Sequence, residues 1–277
     1  MSDRYCVIGH PVGHSKSPLI HAEFAAQTGQ DLVYERCLAP LDGFDATVRQ
    51  LVADGYRGAN VTVPFKLEAA QLADTLTPRA RAAGAVNTLR FTEAGIVGDN
   101  TDGAGLVNDI VRNAGMPIAG KRVLLLGAGG AARGALLPLL EQGPRELVIA
   151  NRTAATAQAL AAAFAVMPGH GVPLSAIRAC ELSALDGAFD IVVNATSASL
   201  AGALLPIPPA VFGPGTLALD MMYGDAPTPF MEFAARHGAT PRDGLGMLVE
   251  QAAEAFFAWR GIRPQTSALL ARMRAKS

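Results

Sequence analysis

Two short stretches hold the residues best suited to chemistry: Gly127-Ala128-Gly129-Gly130-Ala131-Ala132 and Asn151-Arg152-Thr153. The first is bare backbone between the apolar segments 122–126 and 135–140. Gly127 permits a tight bend, Gly129 lets a pyrophosphate approach the main chain, and Ala132 stands where a third small residue lets helix and strand pack closely. Amides at the start of the following helix, with the positive end of its dipole, suit the phosphates. The second stretch comes about 20 residues on, where a dinucleotide site reads the ribose. A carboxylate there would bind the 2′-hydroxyl of NAD. Arg152 instead offers a partner for a 2′-phosphate and a plane to stack on the adenine, which favours NADP. The plain alternative is a structural turn with a solvated arginine.

Other polar residues sit where elements begin or end. Asn60-Val61-Thr62-Val63-Pro64-Phe65-Lys66 reads as a strand with Val61 and Val63 on one face and Asn60 and Thr62 on the other, stopped by Pro64. Lys66 then lies at a strand's carboxyl end, where open α/β sheets bind ligands, although a single lysine is ordinarily a solvated surface group. Ser17 before Pro18 reads as a helix cap. Ser15 has no such role, and two hydroxyls beside a helix start can hold a polyol or a carboxylate. Asp102 reads as the cap of a helix striped by Leu106, Val107, Ile110 and Val111. Asn87 and Thr88 read as the wet face of a strand.

These residues need a frame. Short apolar runs predict strands over 5–8, 32–38 and 85–91, and helices over 17–28, 44–53 (with Leu51 and Val52 on its apolar side) and 75–83. Beyond residue 120 the pattern alternates. A strand, a glycine turn, a helix containing Pro138 and a second strand are followed by an alanine-rich helix over 154–165. Edge strand 177–179, strands 190–194 and 216–220, and a helix begun by Pro229 come next. A long helix carries Leu248, Ala252, Ala255 and Phe256 on one face, and a last amphipathic helix spans 267–274. The alternation calls for α/β architecture with a doubly wound parallel sheet.

The length suits two domains. Half of the 277 residues are hydrophobic and 17% are charged, with a net charge of −1. That balance gives no reason to expect nucleic acid or an anionic membrane as partner. Three scattered cysteines suit a reducing cytoplasm, and neither a signal peptide nor a membrane span is legible. Of the five histidines, His10 and His14 are four apart but stand in the loop Gly9-His10-Pro11-Val12-Gly13-His14, and no paired cysteines with metal-like spacing accompany them, so no metal is expected.

Asn60-Val-Thr-Val-Pro-Phe-Lys66 resembles the signature of the shikimate dehydrogenases. So do Ser15-Lys-Ser17-Pro, Ala85-Val-Asn87-Thr88, Gly98-Asp-Asn100-Thr-Asp102-Gly103, Asn194-Ala-Thr-Ser197, Asp220-Met-Met-Tyr223 and Gly244-Leu-Gly-Met-Leu-Val-Glu-Gln251, in the family's order. The resemblance implies reversible reduction of 3-dehydroshikimate to shikimate with NADP(H), a step of chorismate and aromatic amino acid biosynthesis in the cytoplasm. It implies an N-terminal open twisted α/β substrate domain, 1–103 with 240–277, and a Rossmann-type NADP-binding domain, 104–239. The C-terminal helices return to the first domain.

Carried over residue by residue, Lys66 and Asp102 handle the proton. Ser15, Ser17 and Tyr223 hold the substrate carboxylate, and Thr62, Asn87 and Gln251 the ring hydroxyls. The turn residues Gly127, Ala128, Gly129, Gly130 and Ala131 take the pyrophosphate. Asn151, Arg152 and Thr153 take the adenosine end, and Thr196, Gly246 and Met247 complete the cofactor set. The implied partner is a small molecule, and the sequence leaves monomer or homodimer open. One departure stands out: many members carry a second basic residue shortly after Asn-Arg-Thr, where this chain has Ala154, Ala155 and Thr156. The rival readings are a quinate/shikimate dehydrogenase with relaxed cofactor use and a non-catalytic NADP-binding sensor.

Overall fold

A computed structural model describes residues 2–165 and 177–275. The chain folds as two compact units: the chain up to Gly105 together with Leu248 onward, and Leu106–Met247.

The first unit begins β1 (Asp3–Gly9), α1 (Ser17–Thr28), β2 (Leu32–Leu38), α2 (Phe44–Ala53) and β3 (Tyr56–Val61). It continues with α3 (Lys66–Leu72), β4 (Thr75–Leu76), α4 (Pro78–Ala83), β5 (Thr88–Thr92), β6 (Gly95–Asp99) and the first turn of α5 (Asp102–Asn108), whose residues from Leu106 belong to the second unit. Its mixed sheet has the order β2-β1-β3-β5-β6-β4. β1 pairs in parallel with β2 and β3, while β5 runs antiparallel to both β3 and β6. Both faces of β1 are covered, which is why its sequence is a continuous apolar run. Cys6 and Ile8 join Phe44, Phe65 and Leu89 on one side; Tyr5 and Val7 join Tyr34 and Trp259 on the other.

Local expectations were revised by packing in several places. In α2 the buried residues are Phe44, Val48 and Leu51, whereas Val52 is exposed. β3 stops at Val61, so Val63 does not share its face and is exposed. Residues 75–83 are not one helix: Thr75–Leu76 pairs with β6, and Thr77 then caps α4 by accepting from Ala80 N.

The second unit holds β7 (Arg122–Leu126), α6 (Gly130–Glu141), β8 (Glu146–Asn151), α7 (Ala154–Ala165), β9 (Ile177–Glu181), β10 (Ile191–Asn194), β11 (Leu217–Asp220), α8 (Pro229–Arg236) and β12 (Thr240–Arg242). Every strand pair is parallel and the order is β12-β11-β10-β7-β8-β9. The order reverses between β7 and β10, which is the doubly wound, Rossmann-type arrangement. Its inner strands β7, β8, β10 and β11 have continuous apolar runs because both faces are buried, whereas the edge strands β9 and β12 are half-buried to exposed. α6 continues through Pro138. β12 was not expected from sequence; it adds to the edge at β11 and groups residues 240–247 with this unit.

α9 (Leu245–Arg260) and α10 (Ser267–Arg274) close the chain. α9 is anchored on the first sheet by Trp259, whose indole N–H donates to Leu89 O at 3.0 Å. The indole crosses Gly58, where a Cβ would stand 2.7 Å from its Nε1. Among the described residues no helix is long and apolar enough to cross a membrane.

Candidate active site

Strand register decides where the polar residues of the first unit meet. Asn60 on β3 stands opposite Thr88 on β5, and Thr88 opposite Asp99 on β6. Because β5 is antiparallel to both neighbours, the segment after β3, the residue before β5 and the segment after β6 emerge at one end of the sheet. Those segments carry Lys66, Asn87 and Asp102.

Lys66 is the first residue of α3, not the end of a strand. Its Nζ lies 2.6 Å from Asp102 Oδ2, with the carboxylate side chain 8% exposed and the lysine side chain 25%. The other carboxylate oxygen accepts from Asn87 Nδ2 at 2.8 Å. Asp102 therefore has one donor on each oxygen. It opens α5 as its first residue, but its carboxylate serves Lys66 and Asn87, and the expected cap role passes to Thr101, whose carbonyl accepts from Gly105 N. Asn87 Nδ2 also donates to Gln251 Oε1 at 2.8 Å, bringing α9 into the cluster. Asn87 and Thr88 are buried, so they form no wet face.

The loop after β1 carries the serines. Ser17 is the first residue of α1 and does not cap it; the cap residue is Lys16, and Ser15 Oγ accepts from Ser17 N at 3.3 Å. Arg36 secures the loop by donating to Ser15 O at 2.6 Å. Thr62, half-buried, donates its amide to Ile8 O at 2.9 Å. A Cβ on Gly9 would stand 2.5 Å from Thr62 Cγ2, so glycine permits that approach.

In the second unit the glycine turn follows β7. Gly127 has φ +104°, and a Cβ there would stand 3.0 Å from Thr196 Cγ2 after β10. The turn therefore sits at the point where strand order reverses. Gly129 and Gly130 face open space at their Cβ positions, and Gly129 caps α6 without a side chain. Free amides, open space and a helix start fit a pyrophosphate. Ala128 is buried, Ala131 half-buried, and Ala132 buried beneath the turn. Asn151 Nδ2 donates to Thr153 O at 3.2 Å, which shapes the loop that exposes Arg152. Arg152 is exposed and forms no ion pair among the described residues.

Tyr223 follows β11, half-buried, and burial raises its phenol above the ordinary range. Gly246 stands against Asp109, and Met247 is buried beside it in α9.

The chain matches the models for the shikimate dehydrogenase substrate binding domain over residues 7–89, shikimate / quinate 5-dehydrogenase over 109–201 and the shikimate 5′-dehydrogenase C-terminal domain over 244–274. It is 63% identical to a shikimate dehydrogenase (NADP(+)) of Herminiimonas arsenicoxydans, over 100% of this chain and 98% of that one. The chain belongs to the shikimate dehydrogenase family. Among solved structures it is similar to an Ael1 enzyme from Pseudomonas putida, with 51% identity, TM-score 0.92 and 98% of each chain covered. It is also similar to the shikimate 5-dehydrogenase of Thermus thermophilus in complex with NADP(H) and shikimate, with 32% identity, TM-score 0.85 and 99% of each chain covered.

Within this member of the shikimate dehydrogenase family, two sets of contacts supporting the candidates are not legible in the sequence, and Tyr34, Thr101 and Ser199 are not singled out there. Tyr34, Thr88 and Thr101 stand behind Asn87 in the first unit. In the second, Thr196 donates its hydroxyl and amide to Asn194 Oδ1 at 2.7 and 3.1 Å. Asn194 donates to Ser199, and Ser199 donates to the buried Asp220 at 2.6 Å. The available signal was a polar residue ending or interrupting an apolar strand: Asn60, Thr88, Asn194 and Asp220 each do so, and a buried polar group needs a partner.

Proposed function

We propose that this chain reversibly reduces 3-dehydroshikimate to shikimate with NADPH, with Lys66 and Asp102 handling the proton. The observation carrying the reading is the 2.6 Å contact from Lys66 Nζ to Asp102 Oδ2, on a carboxylate whose other oxygen is held by Asn87. NADPH, when bound, supplies the hydride. Negative charge then grows on the substrate's carbonyl oxygen. Lys66 Nζ stabilises that oxygen and gives it a proton; in the oxidising direction it takes the proton back. Asp102 keeps Nζ in place. Ser15 and Ser17 supply hydroxyls for the carboxylate, with Tyr223 assigned to the same group by its motif. Thr62, Asn87 and Gln251 orient the ring hydroxyls.

Gly127, Ala128, Gly129, Gly130 and Ala131 receive the pyrophosphate, and Asn151, Arg152 and Thr153 the adenosine end, with Arg152 on the 2′-phosphate. Thr196, Gly246 and Met247 belong to the same half. The first unit is the substrate domain and the second the NADP domain of a cytoplasmic enzyme, monomer or homodimer, acting on a small molecule and not on nucleic acid. The test is NADP⁺ and NAD⁺ reduction by the purified protein with shikimate and with quinate. Turnover of shikimate with NADP⁺ well above every other pairing is expected. Preference for quinate with NAD⁺ would refute the assignment, and absence of turnover would favour a sensor.

A further inference from the structure

Behind the Lys66–Asp102 pair lies a file of polar side chains: Tyr34, Asn60, Thr88 and Asn87, with Tyr34 9% exposed and the other three 8% or less. Backbone groups at two points fix its direction. Thr101 N–H, which can only donate, lies 2.8 Å from Asn87 Oδ1, so Asn87 Nδ2 is the atom that faces Asp102. Asn87 O, which can only accept, lies 3.2 Å from Asn60 Nδ2, so Asn60 Oδ1 is the atom that faces Tyr34. The Tyr34 hydroxyl must then donate to Asn60 Oδ1, at 2.7 Å. Asn60 Nδ2 donates to Thr88 Oγ1 at 3.0 Å. Thr88 has one proton, and the shorter of its two contacts takes it to Asn87 Oδ1 at 2.9 Å, Thr101 Oγ1 lying at 3.4 Å. Every link points toward Asp102.

The file starts beside the serine loop. Burial raises the Tyr34 phenol well above its ordinary range, and the Ser17 hydroxyl acts on it in the opposite sense. Aligned hydrogen bonds polarise one another, so a donor chain ending on a carboxylate strengthens the last bond.

We infer that Tyr34 and Thr88 are positioning residues for the Lys66–Asp102 pair, acting through Asn60 and Asn87. The inference rests on the proposed function for its kinetic consequence, but the alignment of Lys66 can be read without substrate.

The test compares wild type, Thr88→Val, Thr88→Ser, Tyr34→Phe and the double variant Tyr34→Phe/Thr88→Val. Thr88→Val should lower kcat for shikimate oxidation about tenfold, a part of what proton transfer contributes, with KM changed by less than about twofold. Thr88→Ser, which keeps the hydroxyl, should restore kcat. Because the links are in series, the double variant should be no slower than Thr88→Val alone, whereas two independent packing defects would multiply. In parallel, acylation of Lys66 by acetic anhydride, read by peptide mass, should be faster in Thr88→Val than in wild type or Thr88→Ser. Multiplicative losses, no rescue by serine, or unchanged Lys66 labelling would overturn the inference. A wild type that labels as expected but leaves shikimate untouched would instead remove the proposed function and keep the relay.

Discussion

His21 allows a quantitative acid-stability test of the first unit. It is fully buried on α1, stacked on Tyr34 with ring centroids 4.2 Å apart and an interplanar angle of 6°. Neither ring nitrogen has a hydrogen-bond partner. Its polar neighbour is Asn60, whose oxygen and nitrogen are already engaged by Tyr34, Thr88 and Asn87. Burial therefore lowers the imidazole from 6.5 to about 3 in the folded protein. An unfolded chain takes up a proton at this position below about 6.5, and the folded chain does not, so stability falls with pH through that window. From about pH 7 to about pH 5 the unfolded state gains roughly 2 kcal/mol from this one group. His21→Phe keeps the stack on Tyr34 and removes the titration.

The chain's single tryptophan, Trp259, lies 5.4 Å from His21 by ring centroids, so its fluorescence reports unfolding of this unit. Urea unfolding at the two pH values should show wild type losing about 2 kcal/mol more than His21→Phe. Asp99, held below the usual carboxylate range by Arg79, and Glu254, held there by Arg263 and Arg79, are common to both proteins and cancel in the comparison. Equal pH dependence in the two proteins would refute the reasoning.

Three further outcomes are expected. Lys66→Ala should cut turnover about a hundredfold or more while leaving shikimate affinity nearly intact; steady-state kinetics and a binding titration read this against a Lys121→Ala control. Arg152→Ala should raise KM for NADP⁺ about tenfold and leave KM for NAD⁺ unchanged, since a charge-assisted bond to phosphate is lost. Equal effects on both cofactors would remove Arg152 from the 2′-phosphate. Gly246→Ala should destabilise the second unit by about 3 kcal/mol or more. The added Cβ would stand 1.8 Å from Asp109 Oδ1, on a buried carboxylate held by Arg242 at 2.6 and 2.7 Å. A thermal melt unchanged from wild type would show that the carboxylate can yield.

What could be read from sequence alone was what short-range physics decides. The strand at 32–38 and the helices at 44–53 and 267–274 coincide with β2, α2 and α10 because apolar period and punctuation are local. The glycine turn after β7 was legible for the same reason: φ +104° at Gly127 is a property of that residue's own backbone. Motifs also placed Lys66, Asp102, Asn87 and Gln251 on one short roster. Only the folded chain decided what they do to one another. β4 has two residues and exists because β6 lies beside it, and β12 because β11 does. Lys66 and Asp102, 36 residues apart, meet because β5 runs antiparallel between β3 and β6 and brings three strand ends together. Thr88 looked like a solvated strand residue; it is buried because β3 and β6 flank it and its hydroxyl can be satisfied on both sides. Periodicity records which residues avoid water, but it carries no record of which distant donor will reach which acceptor, and that pairing makes the candidate site.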